Sequence, residues 1–144
     1  MLREQWRGDV CLQSTPSTCG PAAAATIVRR LGGHLSERDL AREAFTCRSG
    51  TENWYLARTL RRHGFQAEFI RSNPSNVQLP AIAGVRLPSL GNPGHFVALL
   101  ERANGKYLLA DPMEGLSTNE LADWKGVYEF TGLFLSIQAP DSKQ

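Results

Sequence analysis

Three residue types that could carry out cysteine-based acyl transfer occur in this chain: Cys19, followed by Gly-Pro, His95, which opens an apolar segment, and Asp111, sixteen residues further on. A thiol nucleophile needs a base that activates it, a group that orients the base and a donor that stabilises the developing oxyanion. Gln13 lies six residues before the cysteine, and its side-chain amide can donate to an oxyanion together with the Cys19 backbone N–H. The sequence thus holds one candidate for each role.

The candidate nucleophile is predicted to lie at the start of a helix. Pro21 suits the first turn, residues 22–31 are mostly strong helix formers, and Gly32-Gly33 ends the segment. A helix N-terminus and a nearby imidazolium both favour the thiolate, the reactive form of cysteine. Gly20 lets the chain enter the helix tightly and leaves room for a substrate backbone. Taken alone, Cys-Gly-Pro fits a buried helix start equally well, and only the histidine and the aspartate favour catalysis.

His95 and Asp111 are predicted to face each other across a β-hairpin. Apolar strand segments flank Asn104-Gly105, which is a strong turn signal. With the turn centred on Ala103, antiparallel pairing places His95 opposite Asp111, where opposed Cβ atoms are about 4.5–5.5 Å apart. The same register pairs residue 97 with 109 and residue 99 with 107. A slip of one residue would move the two side chains to opposite faces of the sheet, so the prediction depends on the turn.

The rest of the pattern divides the chain into a helical first half and a strand-rich second half. Two further helices are predicted after caps at Ser36, with Asp39 in the capping-box position, and at Thr51, and Gly64 ends the second of them. Alternating or apolar runs predict strands over residues 66–70, 81–85, 96–100, 106–110 and 133–137, and a short helix over 117–124. We therefore expect one α+β domain that covers residues 1–144.

Composition excludes several classes of protein. The chain has 144 residues, of which 42% are hydrophobic and 21% charged, and these values are typical of a globular domain. The net charge of +2 and the lack of aromatic residues among the arginine clusters predict no nucleic-acid partner. No apolar run approaches the roughly 20 residues that cross a bilayer, and no signal peptide is recognisable. We expect no membrane insertion and a cytoplasmic location, or a periplasmic one if a signal segment was removed.

The cysteines leave two alternatives open. Three cysteines leave at least one thiol outside any disulfide scheme, and the spacing of Cys11, Cys19 and Cys47 does not match a zinc site. Cys11 and Cys47 either form a disulfide or are two ordinary, partly buried thiols. We expect neither a metal site nor a cofactor.

Several motifs occur together in a recognisable order: Gln13-x5-Cys19-Gly20, a small-residue helix ending in Leu31-Gly32-Gly33, Gly50-Thr51, Gly94-His95-Phe96-Val97 and Asp111-Pro112. This combination, over about residues 8–138, resembles the bacteriocin-processing peptidases, although each motif alone is weak. These are double-glycine leader peptidases, found at the N-terminus of peptide-exporting ABC transporters and as stand-alone proteins. The chain departs from them in the Pro-Ala-Ala-Ala-Ala segment after the cysteine and in a Pro/Gly-bearing loop at 87–93.

The resemblance implies a papain-like fold, in which a helical lobe that carries the nucleophile packs on an antiparallel sheet that carries the base. It implies that Cys19 is the nucleophile and His95 the general base and acid. Asp111 would orient the imidazole, and Gln13 would stabilise the oxyanion. The implied substrate is a peptide whose amphipathic leader ends in Gly-Gly, Gly-Ala or Gly-Ser, and the implied partner is an ABC exporter.

Three functions follow from these residues and this resemblance. A peptidase that cleaves the leader and matures an exported peptide is favoured. The alternatives are a non-catalytic docking domain of a secretion system and a papain-like acyl or peptidyl transferase, because an amine or a thiol can intercept the same thioester.

Overall fold

The computed structural model describes residues 3–47, 50, 51 and 53–140. These residues form an α+β fold of three helices, a two-stranded sheet and a six-stranded antiparallel sheet. The elements are β1 (Gln5–Arg7), β2 (Val10–Leu12), α1 (Cys19–Arg30), α2 (Glu37–Glu43), α3 (Asn53–Arg62), β3 (Gln66–Arg71), β4 (Ala81–Arg86), β5 (Gly94–Ala103), β6 (Lys106–Asp111), β7 (Gly115–Asn119) and β8 (Glu129–Gln138). The order in the large sheet is β3-β8-β4-β5-β6-β7.

Apolar side chains cover both faces of the large sheet. On one face, α1 packs its buried alanines and Ile27 against β5, whose Ala98 and Leu100 belong to the same cluster. On the other face, Val97 and Leu99 of β5 pack with residues of β6, β8 and the segment between them. This alternation is expected of a central strand that is buried on both sides. Because α1 packs directly on β5, the helix that begins at Cys19 lies against the strand that carries His95.

The helices largely follow the predictions. Helix α1 starts at Cys19, and the Ser36 side chain caps α2 by accepting a hydrogen bond from the Asp39 backbone N–H at 3.0 Å. The first described residue of α3 is Asn53, and residue 52 lies outside the described residues, so the cap at Thr51 stays a prediction. Among the described residues, no helix has the length and the apolar character that crossing a membrane requires.

The predicted helix over residues 117–124 is wrong. Gly115–Asn119 is instead β7, an edge strand paired with β6, and only Leu121–Trp124 forms a short 3-10 helix. Ser117 and Thr118 pair with Leu109 and Leu108 of β6, so backbone pairing with a buried neighbour outweighs the weak helical pattern. The sequence also gave no signal for β1 and β2, which are three residues each.

The hairpin of β5 and β6 has a different register from the predicted one. Its turn is Asn104-Gly105, where both residues have positive φ, 56° and 78°, as a two-residue type I′ turn requires. A β-bulge between Leu99 and Glu101 then shifts the pairing, so that Leu99 pairs with Leu109 and not with residue 107.

This bulge determines which face of the sheet carries Asp111. The pairing of Ala98 with Ala110 extends to Val97 opposite Asp111, so His95 is a diagonal neighbour of Asp111 on the same face. The predicted direct opposition of His95 and Asp111 is therefore wrong, although the predicted shared face is observed. With the two-residue turn and no bulge, Asp111 would lie opposite Ala98 and would point away from His95.

Candidate active site

Cys19 is the first residue of α1 and is partly exposed. The turn before it is held by Thr18, whose Oγ1 accepts a hydrogen bond from the Thr15 backbone N–H at 3.1 Å. Gly20 is buried, and a Cβ there would come within 3.3 Å of the Phe96 ring. Gly20 therefore allows α1 to approach β5 closely, whereas the sequence had indicated room for a substrate backbone at this position.

His95 lies between Cys19 and Asp111. Its Nε2 is 2.8 Å from Asp111 Oδ1, and the two side chains are only 4% and 3% exposed. Cys19 and His95 line the same cavity, and the Cys19 side chain interacts with the imidazole. Because Nε2 is used by the carboxylate, Nδ1 is the ring nitrogen that remains for the cysteine. The three candidates thus form one continuous chain of polar contacts.

The electrostatics of this chain favour a protonated imidazole. Burial by itself lowers the pKa of His95, but hydrogen bonds to Asp111 and Cys19 raise that pKa to about 9. Burial by itself would raise the pKa of Asp111, yet hydrogen bonds from His95, Tyr128 and the Met113 backbone lower it. A buried carboxylate that accepts several hydrogen bonds stays ionised. At neutral pH the site therefore presents an imidazolium, held by a carboxylate, to the cysteine sulfur.

Tyr128 is a part of the site that the sequence did not indicate. Its hydroxyl donates to Asp111 Oδ2 at 2.5 Å, and its ring packs edge-on against Trp124 at 6.1 Å between centroids. Burial and the neighbouring carboxylate raise the pKa of Tyr128, so the phenol remains a hydrogen-bond donor. Tyr128 belongs to no motif and comes from the segment between the last two strands, so only the three-dimensional structure identifies it.

Gln13 lies in the wall of a cavity that His95 also lines. Its backbone N–H donates to Pro112 O at 2.9 Å, which ties the end of β2 to the residue after Asp111. Its Nε2 donates to Thr15 O at 2.9 Å, and Oε1 is buried without a partner among the described residues. An amide nitrogen carries two protons, so one N–H of Gln13 is left for a substrate oxygen.

A buried carboxylate holds the loop that connects Gln13 to Cys19. Both Glu37 oxygens accept hydrogen bonds from Ser14, from its backbone N–H at 2.7 Å and from its hydroxyl at 2.5 Å. Glu37 is completely buried at the start of α2, and its own N–H donates to Glu4 Oε1 at 2.8 Å. The first turn of α2 thereby fixes the residue next to Gln13.

The other two cysteines do not extend the site. All three cysteines are thiols, so the Cys11–Cys47 disulfide is not formed. Cys11 is buried, and burial together with Glu37 and Glu4 raises its pKa, which makes it a poor nucleophile. Cys47 is exposed and pairs with Gly50 in a β-bridge. The described residues contain no group of three or more His, Cys, Asp or Glu side chains that could hold a metal ion.

Two cavities open on either side of His95. One, of about 420 Å³, is lined by Cys19, Gly50, Thr51 and other residues. The second, of about 550 Å³, is lined by Gln13, Leu90, Met113 and others. Pro16, Gly94 and His95 belong to both walls. The site is therefore accessible from two directions, as the passage of an extended chain across it requires.

Comparison with known proteins identifies a matching family and several similar proteins. The model of the peptidase C39 family matches residues 7–142. An uncharacterized protein of Methanothermobacter marburgensis is 38% identical over 103 residues, which cover 72% of this chain and 70% of that protein. An uncharacterized protein of Methanothermobacter thermautotrophicus is 29% identical over 131 residues, covering 91% and 89%.

Solved structures share the fold. The peptidase domain of Streptococcus ComA, a bi-functional ABC transporter involved in a quorum-sensing pathway, superimposes with a TM-score of 0.75 at 20% identity, covering 90% of this chain and 96% of that domain. A double glycine motif protease from an AMS/PCAT transporter, solved in complex with the leader peptide, has a TM-score of 0.76 at 19% identity, covering 97% and 94%. The expected papain-like α+β fold is thereby confirmed.

Proposed function

The chain belongs to the peptidase C39 family, and we propose that it is a cysteine endopeptidase that removes a leader peptide by cleaving after a double-glycine-type pair. The observation that carries this proposal is the position of the partly exposed Cys19 beside His95, whose buried imidazole is hydrogen-bonded to Asp111. The family match supports peptidase chemistry, and the double glycine motif protease among the structural neighbours supports a leader peptide as the substrate.

Acylation begins when the Cys19 thiolate attacks the carbonyl carbon of the second residue of the pair. A carbon–sulfur bond forms and the carbonyl electrons move to oxygen. The Gln13 side-chain N–H and the Cys19 backbone N–H donate hydrogen bonds to this oxyanion. His95 then gives its proton to the amide nitrogen, the carbon–nitrogen bond breaks, and the cargo leaves as a free amine.

In deacylation the His95 imidazole acts first as a base, whereas it acted as an acid in acylation. Neutral His95 takes a proton from a water molecule, and the resulting hydroxide attacks the thioester carbonyl. The carbon–sulfur bond then breaks, which releases the leader as a carboxylic acid and regenerates the thiolate and the imidazolium. Asp111 keeps the ring oriented and its positive charge balanced through both steps, because its carboxylate stays bonded to Nε2.

The surface next to Cys19 supports an amphipathic leader. The cavity that Cys19 lines also contains Asn53, Gly84, Phe96 and Leu133, and these four residues belong as well to an adjoining groove. The further lining of that groove is apolar: Leu56, Phe69, Ile82, Phe134 and Leu135. The groove encloses only about 10 Å³, so an apolar side chain of a leader would cover Phe69, which is 37% exposed, and would not enter the groove.

The setting of the reaction is part of the same proposal. The ABC-transporter origin of the two structural neighbours supports a peptide exporter as partner and action in the cytoplasm at the inner face of the membrane. Residues 1–144 would act as a single peptidase domain that needs no metal ion and no cofactor for the chemistry described above.

Cleavage of a defined peptide tests the proposal. The wild-type protein and Cys19→Ala are incubated with a peptide whose amphipathic leader ends in Gly-Gly before a short cargo, and with a matched peptide in which Leu-Leu replaces Gly-Gly. Mass spectrometry should show one cut, after the second glycine, with the wild type alone. Binding without cleavage would identify a docking domain, cargo joined to an added amine would identify a transferase, and cleavage by Cys19→Ala would exclude Cys19 as the nucleophile.

A further inference from the structure

The two cavities beside His95 divide the site into two sides. Cys19 lines only the smaller of them, which we call the leader-side cavity, and Gln13 lines only the larger, the leaving-side cavity. His95 lines both. Since the acyl part of the substrate becomes bonded to Cys19, that part must occupy the leader-side cavity. The part of the substrate that follows the amine, which receives the His95 proton, must then occupy the leaving-side cavity.

The adjoining apolar groove supports the same direction. The leader-side cavity shares Asn53, Gly84, Phe96 and Leu133 with this groove, whereas the leaving-side cavity shares none of the groove's lining residues. This groove encloses only about 10 Å³, but it extends the apolar surface that a leader could cover on the Cys19 side. The residues that follow the cleaved bond are left with the leaving-side cavity.

The wall of the leaving-side cavity is mainly apolar. Leu12, Leu87, Leu90, Pro93, Pro112 and Met113 line it, and its described lining contains no charged side chain apart from His95. Leu90 is 59% exposed and Met113 is 42% exposed. A substrate side chain that covered them would gain about 25 cal/mol for each Å² of apolar surface removed from water. A charged side chain in the same place would lose hydration, and the one charged group in the described lining, His95, is already paired with Asp111.

Both walls of this cavity are held by hydrogen bonds before any substrate binds. Leu87 and Pro93 close the loop over residues 87–93 through an N–H to O bond of 3.0 Å, and left-handed Asn92 donates its N–H to Leu87 O at 2.9 Å. On the opposite wall, the Met113 N–H donates to Asp111 Oδ1 at 2.8 Å. The cavity is therefore preformed, and one wall is bonded directly to the group that orients His95.

We propose that the leaving-side cavity binds the first residue or two after the cleaved bond and selects apolar side chains there, with Leu90 as the main contact. This inference rests on the proposed function and adds a preference on the cargo side of the cleavage site. The 87–93 loop forms the part of the wall that contains Leu90.

The test uses four peptides that share one leader ending in Gly-Gly and that carry Leu, Ala, Lys or Asp immediately after it. Steady-state kcat/KM is measured for the wild type, for Leu90→Lys and for Leu116→Lys, whose leucine is 50% exposed on β7 and lines neither cavity. For the wild type we expect the Leu peptide to exceed the Asp peptide by about tenfold, the scale of discrimination in an apolar pocket. Leu90→Lys should reverse this order, whereas Leu116→Lys should behave as the wild type.

The outcomes separate this inference from the function on which it rests. If the wild type cleaves none of the four peptides, the proposed function fails and the inference fails with it. Equal kcat/KM for all four peptides would overturn the inference alone. So would a Leu90→Lys variant that keeps the wild-type order.

Discussion

Asp111 accepts three hydrogen bonds, from His95, from Tyr128 and from the Met113 backbone. The carboxylate is 2% exposed, so these donors replace the water that an ionised group would otherwise require. Its two oxygens have different roles, because Oδ1 holds the imidazole while Oδ2 is held by the phenol. At the scale of single residues, Tyr128 therefore positions Asp111 and acts on His95 only through it.

Tyr128→Phe tests this positioning role. Loss of the phenol donor should raise the pKa of Asp111 and weaken its hold on the imidazolium. A hydrogen bond to a charged group contributes roughly 1.5–3 kcal/mol, so we expect kcat to fall about tenfold or more with little change in KM. The acidic limb of the pH–kcat profile should move to higher pH.

Tyr107→Phe is the matched control for this variant. Tyr107 belongs to the same apolar cluster as Tyr128. It donates none of the three hydrogen bonds that Asp111 accepts. Its pH profile should match that of the wild type. If the two variants give the same profile, Tyr128 only fills space.

A second prediction at this scale concerns the protonation of His95. The protonated form is stabilised in the folded protein, so the pKa rises from 6.5 to about 9. The resulting contribution to stability is complete below pH 6.5 and is lost as the pH rises through about 9. NMR titration of the imidazole, with the signal assigned by its absence in His95→Gln, should give a midpoint near 9. Asp111→Asn should lower that midpoint, and a wild-type midpoint at or below 6.5 would contradict the imidazolium assignment.

At the scale of secondary-structure elements, the residues that end helices and form turns predicted the structure best. Pro21 and Gly32 predicted the limits of α1 to within a few residues, and Asn104-Gly105 predicted the turn between β5 and β6. The β-bulge at Leu99 and Glu101 was not predictable, because an extra residue in a strand leaves the hydrophobic pattern almost unchanged. The site depends on that bulge, since it brings Asp111 to the face of His95.

Helix α2 contributes to the site through its first residue. The Glu37 carboxylate binds the Ser14 N–H and hydroxyl, so Glu37→Ala leaves a buried N–H unpaired and opens a cavity. We expect the free energy of unfolding to fall by roughly 2–4 kcal/mol, measured by urea denaturation. Glu37→Gln should restore part of this loss, because its amide can still accept from Ser14.

Ser36→Ala is the comparison for this measurement. It removes the cap of the same helix and should cost only about 1 kcal/mol. If Glu37→Ala is no more destabilising than Ser36→Ala, the bonds from Glu37 to Ser14 do not hold the loop between Gln13 and Cys19.

At the scale of the whole molecule, the candidate site forms where the two lobes meet. The helical lobe supplies Cys19 and the sheet supplies His95 and Asp111, and the contact of α1 with β5 brings them together. The motifs allowed this arrangement to be predicted, because each consists of a few residues at fixed positions within one short segment of the sequence. Tyr128 and Glu37 could not be found in this way, since only tertiary packing places a lone phenol and a lone carboxylate beside the motif residues.

Covalent trapping of the nucleophile tests the central claim most directly. The probe is a leader peptide in which a vinyl sulfone replaces the amide after Gly-Gly, so that an attacking thiolate forms a stable thioether; the control probe ends in Leu-Leu. We expect the Gly-Gly probe to label the wild type once, on Cys19, as read by mass spectrometry of the digested protein. Labelling should be absent in Cys19→Ala and slow in His95→Gln. Labelling of Cys11 or Cys47, or equal labelling by both probes, would contradict the assignment of Cys19 as the nucleophile of a double-glycine leader peptidase.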